Sequence, residues 1–491
     1  MKSKLFLVAV LVAELFVNFS YGGKMTKKDF AEKLKTARTV QMSSRRASYY
    51  DQDRSAESVA SEIEVNGFDG VYLTVADERK IEPELIEEFH KRDIAVGALF
   101  FASGIYSPKD IFPEGWEKWR MEFTVPKPKE HIHLSFVYPE FVQWYKKRIV
   151  KILSEFDFDG FTFAEAHYPV YDGIEKDPIN FGDISKGFQS IFKKETSNEH
   201  FPNFSDPNDP HYFRTDTRLY KDLVDFRVKT IVDFYDEVVN GKGGIRENFP
   251  DILVVSWSLA VDIENGPAKL REWEGNDTAM MVRQVRPDIH FLQTHWPDWI
   301  KPESELPADY AKNYAPYIKQ IKAASPNVLV GIQADVGSLD CMRKSSRWYK
   351  DFIKGCDENG IDSTTYCVWN KRGEVYQNEP VLKKATSEGN SELKLHFDQY
   401  LDDSNGQLVK GKEIHKKGSS LTYKIKEGLV NGSILVLSLD KEVNIGDRLI
   451  IPIGGICDVP KRRLTPQSIA GRVNSIPAGT NLEIQIEKYP Q

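Results

Sequence analysis

Residues Phe141–Phe156 (FVQWYKKRIVKILSEF) and Phe158–Pro169 (FDGFTFAEAHYP) decide the fold. The first segment sets apolar residues at i, i+3, i+4 and i+7, so a helix built on it offers one face to a sheet. The second holds a short aromatic and β-branched run, Gly160–Ala164, that leads into a carboxylate and an imidazole, Glu165 and His167. A helix feeding a strand is the unit of a parallel sheet, whose neighbours need long crossover connections. A packed core has no use for polar groups at the C-terminal end of such a strand, whereas the mouth of a barrel does.

The same alternation recurs outward from this pair. Thr39–Met42, Gly70–Val75, Ala95–Phe101, Ile252–Ser256, Ile289–Thr294, Val328–Gln333 and Ser363–Val368 read as strands, eight with Gly160–Ala164. Leu219–Val239 is a second plain amphipathic helix. An open doubly wound sheet would advertise a Gly-rich phosphate turn after its first strand, and no such motif is present. The predicted fold class is therefore α/β, a (β/α)8 TIM barrel over residues 24–385. The stretch Pro169 to Arg214, crowded with Pro, Asp, Asn and Phe, is expected to be a long irregular loop over the mouth. Ala385–Ser391 (ATSEGNS) reads as a linker. Beyond it Leu393–Phe397, Ser420–Ile425, Ser433–Leu439, Asp447–Ile451 and Asn481–Ile486 alternate as short strands between turn signals at Asp402–Gly406 and Asn431–Gly432. That pattern predicts an immunoglobulin-like all-β sandwich over residues 391–491, more suited to bracing the barrel than to binding glycan, because its aromatics are few.

At the N-terminus, Lys2 and Lys4 precede an apolar run from Leu5 to Val17, broken by Glu14, with mostly small residues from Ser20 to Gly23. Residues 1–23 read as a signal peptide, the run falling short of the roughly 20 residues a membrane span requires. The expectation is a secreted or periplasmic protein with no span in the mature chain. A net charge of −7 with both signs interspersed lacks the basic stripe a nucleic acid would demand. Cys341, Cys356, Cys367 and Cys457 show no metal-site spacing, and a Cys341–Cys356 bridge stays open. Aromatic residues make up 12% of the chain, with 9 Trp and 21 Tyr, enough for a large core and for stacking on sugar rings.

Other strand ends repeat the grammar of Glu165 and His167: Ala76-Asp77-Glu78, Ser256-Trp257-Ser258, Thr294-His295-Trp296-Pro297-Asp298-Trp299, Gln333-Ala334-Asp335 and Trp369-Asn370. Together they set carboxylates, two histidines and several tryptophans around one rim, which is the equipment of a sugar site: acid/base groups at the bond and flat apolar faces beside the ring. HWPDW is also a sequence that packs as a loop plug with Pro297 fixing its turn, and Trp369 also suits barrel core. Asp77, Glu165, His167 and His295 could converge on a metal, but no recognised ligand spacing supports this, and no cofactor is expected.

The strand-four phrase, the helix before it and HWPDW resemble the glycoside-hydrolase-like barrels, over roughly residues 36–380. The resemblance implies that Glu165 is the proton donor after strand four and Asp335 the nucleophile or base after strand seven, although that group usually ends strand seven in Glu. A second resemblance, to the barrel-type inverting exo-sialidases, implies His167 as acid, Asp51 or Asp53 as base and Asn370 near the substrate carboxylate. A sialidase needs guanidinium for that carboxylate, and Arg45, Arg46 and Arg343 lie near strand ends; Arg45 and Arg46 also suit a solvated surface pair. Asp77, Trp257, His295 and Trp296 are the remaining candidates for substrate contact. The expected function is hydrolysis of a glycosidic bond in an oligosaccharide or polysaccharide. Two rivals stand beside it: a non-catalytic glycan-binding barrel, and a polysaccharide lyase or epimerase.

Overall fold

The computed structural model describes residues 25–46, 53–125, 131–169, 181–335, 340–342, 344–367, 369, 378–459 and 473–490. Eight parallel strands follow one another around a closed barrel: β1 (Arg38–Ser43), β2 (Gly70–Thr74), β3 (Ala95–Phe101), β4 (Gly160–Ala164), β5 (Leu253–Ala260), β6 (Ile289–Thr294), β7 (Leu329–Asp335) and β8 (Ser363–Cys367). The β1–β8 pairing, Thr39 opposite Thr365, closes the ring. This is the predicted (β/α)8 arrangement.

Alternation along each strand sorts the side chains. Val40, Met42, Val71, Phe161, Phe163 and Val330 join the outer core under the helices, while Tyr72, Leu99, Val255, Trp257 and Phe291 fill the interior. The ladder register stacks the inward residues in layers of four from alternate strands. From the base upward these layers are Thr39, Gly97, Val255 and Gly331; Tyr72, Thr162, Phe291 and Thr365; Gln41, Leu99, Trp257 and Gln333; Thr74, Ala164, Gln293 and Cys367; and, at the mouth, Ser43, Phe101, Leu259 and Asp335. Two glycines make room for the aromatics. A Cβ on Gly97 would sit 2.5 Å from the Tyr72 ring, and one on Gly331 would sit 2.6 Å from Phe291.

The base of the barrel is shut by helix α1 (Lys27–Lys35), whose start is fixed by a capping box between Thr26 and Asp29. Its buried face, Phe30, Ala31 and Leu34, joins the interior core. Leu34 reaches so far in that a Cβ on Gly70 would lie 2.7 Å from it.

The C-terminal domain departs from the expected sandwich. Its strands are β9 (Leu382–Ser387), β10 (Glu392–Phe397), β11 (Glu413–Lys416), β12 (Thr422–Asn431), β13 (Ile434–Leu439), β14 (Arg448–Pro452) and β15 (Asn481–Lys488). They close in the order β10-β13-β12-β11-β14-β15-β9 as a second, seven-stranded barrel. The segment read as a linker is itself β9 and its turn. Ala385, Thr386 and Ser387 are buried, and their small polar side chains are tolerated because they are bonded: Thr386 Oγ1 to His396 Nε2 at 2.7 Å, and Ser387 Oγ donating to the Glu392 carbonyl at 2.8 Å. Gly389, at φ 82°, turns the chain into β10.

The two barrels meet along helix α2 (Ala56–Val65), started by Ser55. Arg54 and Glu62 form an ion pair at 2.6 Å with both side chains fully buried. Arg54 also donates to Ser433 Oγ at 3.1 Å, and Ser61 Oγ lies 2.6 Å from His396 Nδ1. Lys394–Glu57 at 2.9 Å and Lys384–Glu64 at 2.7 Å flank them.

The stretch after β4 also differs from expectation. Within it lies helix α3 (Lys186–Thr196), capped by Ser185, with Phe188 and Phe192 packed edge-on against Phe226 of helix α4 (Thr217–Val239). The dense aromatics that made it look like a loop supply this packing. Cys341 and Cys356 are not bridged to each other, Cys341 being exposed and Cys356 buried. Among the described residues no helix is long and apolar enough to cross a membrane.

Candidate active site

Strand β4 delivers Glu165 to the mouth by ending abruptly. Ala164 is the last strand residue, and Glu165 takes a left-handed backbone with φ 58°. A non-glycine residue in that region costs of order 1 kcal/mol and persists where the surroundings enforce it, which is common at functional sites. Here the Ser103 hydroxyl is shared between the carbonyls of Glu165 and His167 at 3.3 and 3.4 Å, and the His167 amide donates to the Glu165 carbonyl at 3.0 Å. The Glu165 carboxylate accepts from the Tyr106 hydroxyl at 3.2 Å and is hydrogen-bonded by Gln293 of β6. Burial pushes its pKa above the usual carboxylate range, and Glu274 adds to the rise. His167 and the bonds from Tyr106 and Gln293 oppose it without cancelling it. The Tyr106 ring, exposed at the mouth, leans on Phe101 with centroids 4.1 Å apart.

His167 is held by a partner far away in sequence. Its Nδ1 lies 2.8 Å from Glu274 Oε2, and Glu274 is the buried last residue of helix α5 (Gly266–Glu274). A carboxylate at a helix C-terminus faces the negative end of the dipole, so a neighbouring cation stabilises it. Arg227 of α4 is fully buried, donates to the carbonyls of Glu272 and Trp273 at 3.1 and 2.8 Å, and lies over the rings of Tyr168 and Phe181 at 4.7 and 3.9 Å. Burial would lower the imidazole pKa, but the charge and hydrogen bond of Glu274, helped by Glu165, outweigh it and hold His167 above its ordinary 6.5.

The remaining candidates fall into three groups. Asp335, 5% exposed, ends β7 as an inward residue beside Cys367 of β8, on the same rim as Glu165. His295 follows β6 with Nδ1 3.6 Å from Asp298, and Trp257 lies inside the barrel, stacked on Phe291 at 5.1 Å. Other candidates are engaged away from the barrel interior. Asp77 caps a short 3-10 turn and is bound by Arg79 at 2.8 Å, which drops its pKa to about 2. Arg46 is paired with Glu82 at 2.5 Å and Glu84 at 3.4 Å, and Arg45 is exposed. Asp51, Arg343 and Asn370 lie outside the described residues, as does the side chain of Trp296, while Asp53 stands at φ 64° at the edge of a described segment. Among the described residues no three His, Cys, Asp or Glu side chains are grouped to hold a metal ion.

Sequence reasoning missed Tyr106, Gln293, Glu274 and Arg227. Tyr106 and Gln293 carried a signal, since each lies at or just beyond the end of a predicted strand. Glu274 carried only a weak one, an acid placed where a helix end disfavours it.

No family model and no curated protein matches the chain. Among solved structures it is similar to the catalytic domain of β-amylase from Paenibacillus polymyxa, at 10% identity and a TM-score of 0.49, covering 68% of this chain and 92% of that one. It is also similar to the PgaB (BpsB) glycoside hydrolase domain from Bordetella bronchiseptica, at 15% identity and 0.46, covering 67% and 93%. A third is the β-galactosidase from the psychrophilic Marinomonas ef1, at 11% and 0.42, covering 67% and 54%.

Proposed function

We propose that this protein is a glycoside hydrolase, with Glu165 protonating the leaving oxygen and Asp335 serving as the second carboxylate. The observation that carries the reading is the environment of Glu165: a half-buried residue whose carboxyl pKa is raised by loss of solvent, on strained backbone at the barrel mouth. Glycosidic cleavage passes through an oxocarbenium-like transition state, so it needs a proton for the departing oxygen and negative charge near the anomeric carbon. Glu165 is suited to the first because burial favours its protonated form. Asp335, on the same rim three strands round from Glu165, is suited to the second, either activating water or attacking carbon. Glu274 favours the protonated form of His167, whose positive charge in turn favours the ionised form of Glu165.

A sialidase would need a free guanidinium at the mouth. Of the candidates for that role, the Arg46 guanidinium is engaged by Glu82, Arg45 is exposed, and Arg343 lies outside the described residues. We also propose export through residues 1–23, which the mass of protein secreted by an expressing host checks directly.

The test is product release from a panel of neutral and sialylated glycans, with the product anomer followed by NMR. Glu165→Gln should lower kcat/KM by about 10²–10⁴-fold, the usual contribution of a general acid, and Asp335→Asn should be comparably damaging. Retention of anomeric configuration makes Asp335 a nucleophile, and inversion makes it a base. If glycans bind but none is cleaved, the protein is a binding module; an unsaturated or isomerised product would mark a lyase or epimerase.

A further inference from the structure

Among the described residues Tyr106 is the one exposed aromatic, at 57%. A single exposed ring needs no explanation by itself. What sets Tyr106 apart is where its hydroxyl points and how firmly its backbone is held. The hydroxyl donates to Glu165 Oε2 at 3.2 Å, and the ring leans on Phe101, an inward residue at the mouth, with centroids 4.1 Å apart. The segment after β3 that carries it is tied on both flanks. The Ala102 amide donates to the Ala164 carbonyl at 2.9 Å, the Leu134 amide to the Ser103 carbonyl at 2.8 Å, and the Ile105 amide to the Ile132 carbonyl at 2.9 Å. Gly104 leaves the ring its place, since a Cβ there would sit 2.8 Å from it. Tyr106 is thus an anchored aromatic beside the carboxyl read above as the proton donor.

Strand order fixes what it faces. In a ring of eight, β7, which ends in Asp335, and β3 are four strands apart, so they oppose each other across the mouth, and β4 with Glu165 stands beside β3. A substrate whose anomeric carbon lies between the two carboxyls has its leaving oxygen at Glu165, and whatever that oxygen carries extends away from Asp335. Away from Asp335 is toward β3, where Tyr106 lies. A phenol ring, apolar on its face and polar at its tip, matches a pyranose with C–H groups on one face and hydroxyls at its edge. A leaving group without a ring, such as fluoride, has nothing to set there.

We infer that Tyr106 is the platform for the leaving group and that this leaving group is itself a sugar, so the substrate is a glycan cut between two rings. The inference rests on the hydrolase reading above and adds a substrate requirement to it. The Tyr106 hydroxyl has a second task. As the glycosidic oxygen takes the Glu165 proton and keeps the electron pair of its bond to the anomeric carbon, Glu165 is left as a carboxylate, and Tyr106 donates to it. Burial raises the Glu165 pKa, and the Tyr106 hydrogen bond is among the effects that lower it.

The test sets maltose, cellobiose, lactose and di-N-acetylchitobiose beside the glycosyl fluorides of their non-reducing sugars. Binding energy from a remote group counts only where the group is present. Tyr106→Ala should therefore lower kcat/KM on a cleaved disaccharide about tenfold more than on the matching fluoride, the scale of one aromatic contact. Gly104→Ala, which displaces the ring and keeps its chemistry, should show the same asymmetry. Tyr106→Phe should recover most of the disaccharide preference lost in Tyr106→Ala. Its alkaline limb of kcat/KM should move to higher pH, because a general acid works only while protonated and its pKa rises when a donor to its ionised form is lost. Equal losses on the two substrate classes, no loss, or cleavage of fluorides alone overturns the platform while the hydrolase reading stands. An unmoved limb in Tyr106→Phe overturns the second task alone. Cleavage of neither class overturns the hydrolase reading. Where the fluorides are inert, calorimetric titration with the disaccharides and their monosaccharides decides the platform: the disaccharide must bind more tightly, Tyr106→Ala must remove the difference, and any other result overturns it.

Discussion

Glu274 shows how one residue sets the state of another. Its carboxylate is the main influence raising the His167 pKa against the effect of burial, so Glu274→Gln should release that influence and leave burial dominant. The imidazole of His167 should then titrate below its wild-type pKa, as read by NMR of the ring. In the wild type the imidazolium should persist through pH 6.5, the ordinary value. The linkage sign follows: a group whose folded pKa is raised stabilises the fold below its unfolded pKa and loses that contribution as pH rises through the folded one. The Glu274→Gln protein should therefore lose stability relative to wild type mainly at acid pH, in the range where the imidazole is charged in both states. Glu165 and His167 were legible in the sequence because they follow a strand within three residues. Glu274 was not, because its contact spans 107 positions and depends on how α5 packs over the mouth.

Among the elements, HWPDW shows the same limit differently. The motif folds as the short helix Trp296–Trp299. Trp299 is fully buried, donates its indole N–H to Thr294 Oγ1 at 2.8 Å, and packs on Trp348 and Phe352. Periodicity could not tell a rim tryptophan from a packed one, because both follow a strand end. Asp298 is a structural carboxylate: burial alone would raise its pKa, but hydrogen bonds from His295, Lys301 and Tyr310 bring it down to about 2. Its stabilising contribution is thus present above the unfolded pKa of 3.8 and is lost as pH falls toward 2. Asp298→Asn should lower the thermal midpoint at neutral pH and narrow its gap to wild type between pH 4 and pH 2, a comparison calorimetry makes directly. The eight strands were legible because each is a short apolar run between longer helical patterns; β9 was not, since ATSEGNS reads as a linker until its hydroxyls are seen to be bonded inside a sheet.

For the whole molecule, the decisive feature is the polar seam between the barrels. The Arg54–Glu62 pair is fully buried, and Arg54 also lies over the ring of Tyr400 at 5.2 Å. Removing one member of such a pair leaves the other charge buried without its counter-ion, at a cost of about 3–5 kcal/mol. Glu62→Gln should therefore destabilise by about that amount, and the two domains should still melt in a single transition, as followed by denaturant unfolding. Separate melting of the two barrels would show the seam to be a loose contact. Composition and alternation announced the two-domain plan, but the seam was hidden because its residues, from Arg54 to Ser433, lie on both sides of the first barrel's closure.

The helix that shuts the barrel base also fixes which way the molecule faces. Because α1 lies opposite the mouth, anything joined to the chain ahead of it emerges at the pole farthest from Glu165. A protein immobilised on a bead or tethered to a surface through that end would stand base-down, with its mouth turned toward whatever glycan the solution brings.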